Sequence, residues 1–179
     1  MIKKIKTPFK DLYIFEGKKF SDNRGYLREV FHKKQIEKNL IFSIVSKSKK
    51  NTLRGLHLQK RKTQDKFITV IKGEILDVVV DLRKNSKTFG KHFKIILSDQ
   101  NCKFLLIPQG FAHGFLGKKK ENIVLYSCTN YRDKKSEISI LWKDKDLNIN
   151  WNTKNPVLSS KDRKANTFKD FLRNNKWYF

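Results

Sequence analysis

Apolar and polar residues alternate in short runs through the middle of the chain. KFITVIKG (66–73), EILDVVVDL (74–82), HFKIILS (92–98), KFLLIP (103–108) and NIVLYSCTNY (122–131) are heavy in Ile, Val, Phe and Tyr. Gly, Asn, Asp and Ser separate them, residues that suit turns, while the runs themselves suit a pleated, half-buried surface. No amphipathic stretch of helix length lies between the runs. The pattern therefore predicts a mainly β fold, an antiparallel sandwich or barrel, with short peripheral helices. Helical signals sit at the edges. HKKQIEKNL (32–40) could form a turn or two, and SSKDRKANTFKDFLRNN (159–175) begins on Ser and sets Phe168, Phe171 and Leu172 on one side. The closing WYF is too apolar for solvent and is expected to dock on this chain or on a second copy.

Composition narrows the picture. The chain has 179 residues, 38% hydrophobic and 12% aromatic, with three prolines and no internal repeat, which suits a single domain over 1–179. Within it, 165–179 reads as a helical and aromatic tail. Such a length buries a core without disulfide or metal staples. Cys102 and Cys128 sit in apolar or strand-like sequence without CxxC spacing, as reduced cysteines of a cytoplasmic protein do. No run approaches a signal peptide or a membrane span.

The formal net charge is +24, mostly Lys spread from Lys3 to Lys176. KSKK (47–50), QKRK (59–62) and GKKKEN (117–122) fall where loops are expected, and charge runs are usually solvated. This scatter disfavours a nucleic-acid partner, although a field of this sign attracts an anionic small molecule such as a sugar nucleotide.

Candidate chemistry begins in TLRGLHLQ (52–59), where three polar side chains interrupt a strand-like run. Period-two alternation places His57 and Gln59 on one face and Arg54 on the other. By the same arithmetic Lys66 shares a face with Ile68 and Val70, and Tyr126 with Val124 and Cys128. If these strands line one small barrel, His57, Lys66, His113 and Tyr126 meet among apolar walls. That set supplies a base titrating near neutrality, a cation for a developing oxyanion and a phenol as proton donor.

FLLIPQGFAHGF (104–115) carries Pro108, Gly110 and His113 in the P-x-G-x-x-H pattern of cupin barrels, a double-stranded β-helix or jelly roll. Many cupins add an H-x-H metal motif, but here the matching residues are His57-Leu58-Gln59. His32 and His92 lie in polar, loop-like sequence, so no metal site is expected.

Taken in order, SDNRGYLREVF (21–31), LRGLHLQ (53–59), QDKFITVIKGEILDVVVDLRKNSKTFGK (64–91), IPQGFAHGF (107–115), VLYSCTNY (124–131) and LSSKD (158–162) closely resemble the dTDP-4-dehydrorhamnose 3,5-epimerase family. The resemblance covers about residues 13 to 164. It implies a homodimeric cupin that acts without metal or cofactor on a nucleotide-linked 4-keto-6-deoxy sugar. It also implies His57 as base, Asp162 as its carboxylate partner, Lys66 facing the enolate oxygen and Tyr126 returning a proton from the opposite face. His113 would hold the sugar or the oxyanion. Arg24, Glu29 and Arg54 match residues at the nucleotide diphosphate, and Gln59 and Lys161 are counted with the substrate contacts. Two places depart from the family pattern: Phe42-Ser43-Ile44 replaces a Gln-x-Asn pair, and Arg132 replaces a Tyr. Inversion at one carbon, a 3,4-ketoisomerase and a non-catalytic basic binding protein are the competing readings.

Overall fold

The computed structural model describes residues 2–174. Thirteen strands occur among them: β1 (Lys3–Lys6), β2 (Tyr13–Glu16), β3 (Lys19–Asp22), β4 (Gly25–Arg28), β5 (Phe42–Lys49), β6 (Leu53–Gln59), β7 (Lys66–Lys72), β8 (Glu74–Asp81), β9 (His92–Ser98), β10 (Lys103–Ile107), β11 (Phe111–Gly117), β12 (Glu121–Cys128) and β13 (Glu137–Ser139). Helices are short: α1 (Lys33–Ile36), α2 (Ser160–Arg163) and α3 (Phe168–Asn174).

Two antiparallel sheets face each other, ordered β1-β2-β10-β7-β12-β5 and β13-β6-β11-β8-β9. This is the cupin jelly roll. Strands β3 and β4 form a separate hairpin. Each strand's period-two pattern divides its side chains between layers. Ile68, Val70, Ile75, Val79, Leu105, Ile107, Phe115 and Val124 come from both sheets and fill the space between them. Phe15, Phe67, Phe104 and Leu106 cover the outer face of the larger sheet, with Phe67 stacked on Phe104 at 5.5 Å. On the outer face of the smaller sheet, Val78 and Val80 meet Trp142, Trp151, Phe168 and Phe171. Strand β8 thus contributes to two cores, which explains its nearly unbroken apolar run.

Several expectations need correction. Strand β5 runs through Lys49, so most of KSKK lies in a strand rather than a loop. It is one of the two edge strands of its sheet. The segment 159–175 divides into α2 and α3, with Asp170 accepting from the Thr167 hydroxyl at 2.5 Å at the start of α3. Phe168 and Phe171 are buried, but Leu172 is exposed. His92 is not in a loop: it opens β9, and its Nδ1 meets the Leu147 carbonyl at 3.1 Å. The terminal WYF lies outside the described residues.

The register of β6 on β11 carries the most consequential irregularity. His57 pairs with His113 and Arg54 with Phe115, so β6 holds one more residue than β11 over this interval. Such a bulge reverses the alternation beyond it. Gly55, with φ of 119°, lies inside the bulge, and a Cβ there would sit 2.5 Å from Gly114 Cα and 2.7 Å from the His113 carbonyl oxygen. Both obstacles are backbone. Gly55→Ala is therefore expected to lower unfolding free energy by about 2 kcal/mol or more, as strained backbone and overpacking each cost of that order. Urea denaturation followed by tryptophan fluorescence measures it.

Candidate active site

At one end of the barrel the two sheets part around a cavity of about 520 Å³. Strand β6 brings His57, β7 brings Lys66, β11 brings His113, and β12 brings Tyr126 and Cys128 to its walls. Lys66 is the register partner of Cys128, while Tyr126 pairs with Ile68. The alternation expected for β7 and β12 therefore holds, and it aims these side chains inward beside Val124 and Ile68.

Asp162 comes from α2, whose N-cap Ser159 accepts the Asp162 backbone N–H at 3.1 Å. Its Oδ1 lies 2.5 Å from His57 Nε2. Burial pushes the Asp162 carboxyl upward, but the His57 hydrogen bond and charge, with Ser159 and the Gly55 backbone, outweigh it and hold the group below its ordinary value. An ionised Asp162 accepts the Nε2–H, which leaves Nδ1 as the nitrogen able to take a proton.

Lys66 Nζ donates to the His57 carbonyl at 3.5 Å. Burial lowers its pKa, partly opposed by Cys128, Glu137 and Asp77. Tyr126 is shifted upward, chiefly by burial, while a hydrogen bond from Ser46 Oγ at 3.4 Å acts against the shift. The phenol ring stands edge-on to His113 with centroids 6.1 Å apart. Cys128 is likewise pushed up by burial and drawn back by Lys66.

His113 pairs with Asp77, a residue absent from the sequence-based candidates, through Nε2 and Oδ2 at 2.8 Å. The signal was present: Asp77 is the one charge among the apolar residues between Glu74 and Asp81, on the same face as Ile75 and Val79.

Arg54 lines the cavity with His57, contrary to simple alternation, because the bulge lies between them. Its Nε donates to Ser48 Oγ at 3.0 Å and its Nη2 to the Lys47 carbonyl at 3.1 Å. Gln59 also reaches the cavity, but its amide serves loops: Nε2 donates to the Lys62 and Tyr131 carbonyls, and Oε1 accepts from Asp133 N–H. Lys161 and Arg132 stand at the rim beside Glu137. Arg24 and Glu29 are not brought to the cavity of their own chain. Arg24 lies in the turn of the β3–β4 hairpin with Asp22 at 2.7 Å, and Glu29 follows β4, exposed. Among the described residues no helix is long and apolar enough to cross a membrane.

The barrel and its inward histidine, lysine and phenol define a cupin whose chamber is organised for proton transfer. Residues 6–170 match the family model described as dTDP-4-dehydrorhamnose 3,5-epimerase. A protein of that name from Shigella flexneri is 43% identical over 173 residues, spanning 93% of this chain and 96% of the relative. Among solved structures, the dTDP-4-dehydrorhamnose 3,5-epimerase of Elizabethkingia anophelis NUHP1 superposes with a TM-score of 0.88 at 41% identity, covering 94% of this chain and 97% of that one. A dTDP-6-deoxy-D-glucose-3,5-epimerase from Legionella pneumophila Philadelphia 1, in complex with dTDP-4-keto-L-rhamnose, gives a TM-score of 0.90 at 38% identity, covering 94% of each chain. The chain belongs to the dTDP-4-dehydrorhamnose 3,5-epimerase family.

Lys66 gives the site a stability signature with a definite sign. Its pKa is depressed in the folded chain, so below about 10.5 the unfolded chain binds more protons, and stability rises with pH between the folded value and 10.5. Lys66→Met is expected to be more stable than wild type near neutrality, with the gap narrowing as pH climbs toward that limit. Denaturation midpoints across the alkaline range test this.

Proposed function

We propose that the chain epimerises a dTDP-linked 4-keto-6-deoxyhexose, converting the dTDP-4-dehydro-6-deoxy-D-glucose type to the dTDP-4-dehydro-L-rhamnose type. The observation that carries this reading is the His57–Asp162 pair, 2.5 Å apart, facing Lys66 and Tyr126 across one chamber. The ligand named in the Legionella structure supports the substrate class.

A hydrogen on carbon beside a ketone is a weak acid, and an imidazole removes it only if the resulting enolate is stabilised. His57 Nδ1 takes the proton, the electron pair of the C–H bond moves into the carbonyl, and the Lys66 ammonium meets the oxygen. As the enolate returns to the ketone, Tyr126 donates its proton to the opposite face of the same carbon, inverting it; the His57 imidazolium then releases its proton to solvent and the phenolate recovers one. A buried phenol with a raised pKa keeps its proton until a strong carbon base is beside it. The apolar wall of Phe115, Leu58 and Leu158 strengthens each interaction by excluding water. His113, held by Asp77, lies where it can bind the sugar.

The exposed side chains of Phe20, Tyr26 and Leu27 on the hairpin, with Ile44 and Val45 on edge strand β5, support a homodimer. An isolated hairpin is marginal in water and gains from a partner surface. A hairpin from a second copy would also carry Arg24 and Glu29 towards a chamber that their own chain does not give them. We further read 1–179 as one epimerase domain and place it in the cytoplasm, supported by two free, buried cysteines.

In deuterated water the protein should exchange label into the sugar at the carbons flanking the ketone. His57→Ala and Lys66→Ala should each lower that exchange by about 10²-fold or more, the range for a lost general base or oxyanion partner. Near-wild-type exchange in either variant rejects its assigned role, and a 3-keto product indicates a ketoisomerase. For the dimer, light scattering should give twice the chain mass, and Leu27→Asp should shift the protein towards monomer.

A further inference from the structure

Two lysine runs with no part in the chamber chemistry, KSKK (47–50) and GKKKEN (117–122), meet at one end of the barrel. Lys49 is the register partner of Glu121, which sets the second run alongside the end of β5. Together with the β7–β8 and β9–β10 turns they enclose a cavity of about 1220 Å³, larger than the chamber at about 520 Å³. None of its lining residues lines the chamber, and none belongs to the apolar surface assigned to the dimer.

Six lysines line it, Lys47, Lys49, Lys50, Lys72, Lys119 and Lys120, against three carboxylates, Glu74, Asp99 and Glu121. Two of the carboxylates are already engaged. Glu121 accepts from Lys47 and, at 2.8 Å, from Lys72 Nζ, and these two cations hold its carboxyl down at about 2. Asp99 turns Oδ2 to the Gly73 N–H at 2.9 Å and Oδ1 to the Gln100 amide at 3.1 Å. Lys49, Lys50, Lys119 and Lys120 are exposed and make no ion pair among the described residues.

The frame beneath these four is fixed by Asn122, which is fully buried. Its Oδ1 accepts from the Glu74 and Lys119 N–H groups, both at 3.1 Å. Its Nδ2 donates to the Ser48 carbonyl at 3.1 Å and the Lys119 carbonyl at 2.8 Å. The Lys118 N–H adds a bond to the Glu74 carbonyl at 2.8 Å. Four unpaired ammoniums are thus gathered on anchored backbone, where they repel one another and attract any anion that enters.

The lining also selects among anions. It offers no aromatic side chain for a nucleobase to stack on, the feature that single-strand nucleic-acid sites add to positive charge. A concave site admits a narrow, flexible chain better than a flat surface. Lysine suits phosphate groups in series, because its three rotatable donors demand no single orientation. We propose that this end of the barrel binds a linear polyphosphate anion, gripped between Lys49 and Lys50 on one turn and Lys119 and Lys120 on the other. The site stands apart from the chamber and does not rest on the epimerase reading.

The test titrates inorganic tripolyphosphate into the full chain by calorimetry at about 0.15 M salt, where exposed charges beyond about 8 Å are largely screened. Replacing Lys49, Lys119 and Lys120 together by Ser should weaken binding about 10-fold or more, each exposed ion pair contributing a modest share. Replacing Lys33, Lys143 and Lys145 by Ser removes the same charge elsewhere and should change affinity less than about 2-fold. Equal losses in the two sets mean that overall charge holds the anion, and they overturn the proposal. Unchanged affinity in the first set, or no binding to wild type, overturns it as well. Far-UV circular dichroism checks the fold of each variant. Should the first set not fold, Lys119→Ser with Lys120→Ser should still lose about 3-fold, and full affinity there overturns the site.

Discussion

The proposed chemistry depends on one contact between residues 105 positions apart, His57 Nε2 and Asp162 Oδ1. His57 comes from the second-layer strand β6, and Asp162 from a short helix packed behind it. The contact chooses the tautomer, since an ionised Asp162 accepts one ring N–H and leaves the other nitrogen basic. It also stabilises the imidazolium that forms when that nitrogen takes a proton. Without it the imidazole would be neither oriented nor matched to its charged state, and the remaining chamber groups would have nothing to act upon.

Burial then works in two directions at once. The same low-dielectric surroundings push Lys66 down and Tyr126 up, each towards its neutral form. Both shifts suit the proposed chemistry. A destabilised ammonium gains more when an enolate oxygen arrives beside it, and a reluctant phenol donates only to a base as strong as the carbanion. The cost falls on folding, because a desolvated lysine in a sheet interior is a weaker packing choice than an aliphatic residue. Cys128, register partner of Lys66, has no countercharge to offer while its thiol stays protonated.

How much of this was legible in the chain differed by layer. Strands β7 to β10 were readable because turn residues bound β-branched runs, and the faces of Lys66 and Tyr126 followed from alternation alone. Strand β6 was not, since its alternation is broken at Gly55 and a bulge is a property of two strands in register, not of one. That is why Arg54 was assigned to the wrong face. Asp77 escaped notice because nothing local identifies its partner, His113, which lies 36 residues away. Asp162, Arg24 and Glu29 came from resemblance. The structure brings the first to the chamber and leaves the other two on a hairpin that packs against neither sheet as a strand.

The two His–Asp pairs show how one motif is given different work by its surroundings. They stand side by side, His57 opposite His113 across the β6–β11 ladder. The His57 side chain is 33% exposed and its Asp162 partner 4%, so the ring opens to the cavity while its carboxylate is sheltered behind. In the other pair the side chains are 5% and 0% exposed, and Asp77 has one oxygen without a partner. His113 reaches the cavity wall with little of its ring exposed and Asp77 wholly covered behind it, whereas His57 presents a third of its side chain to the cavity. The open pair is therefore suited to exchanging protons and the sheltered pair to holding a fixed donor, and direct register on the ladder keeps both rings on the same wall.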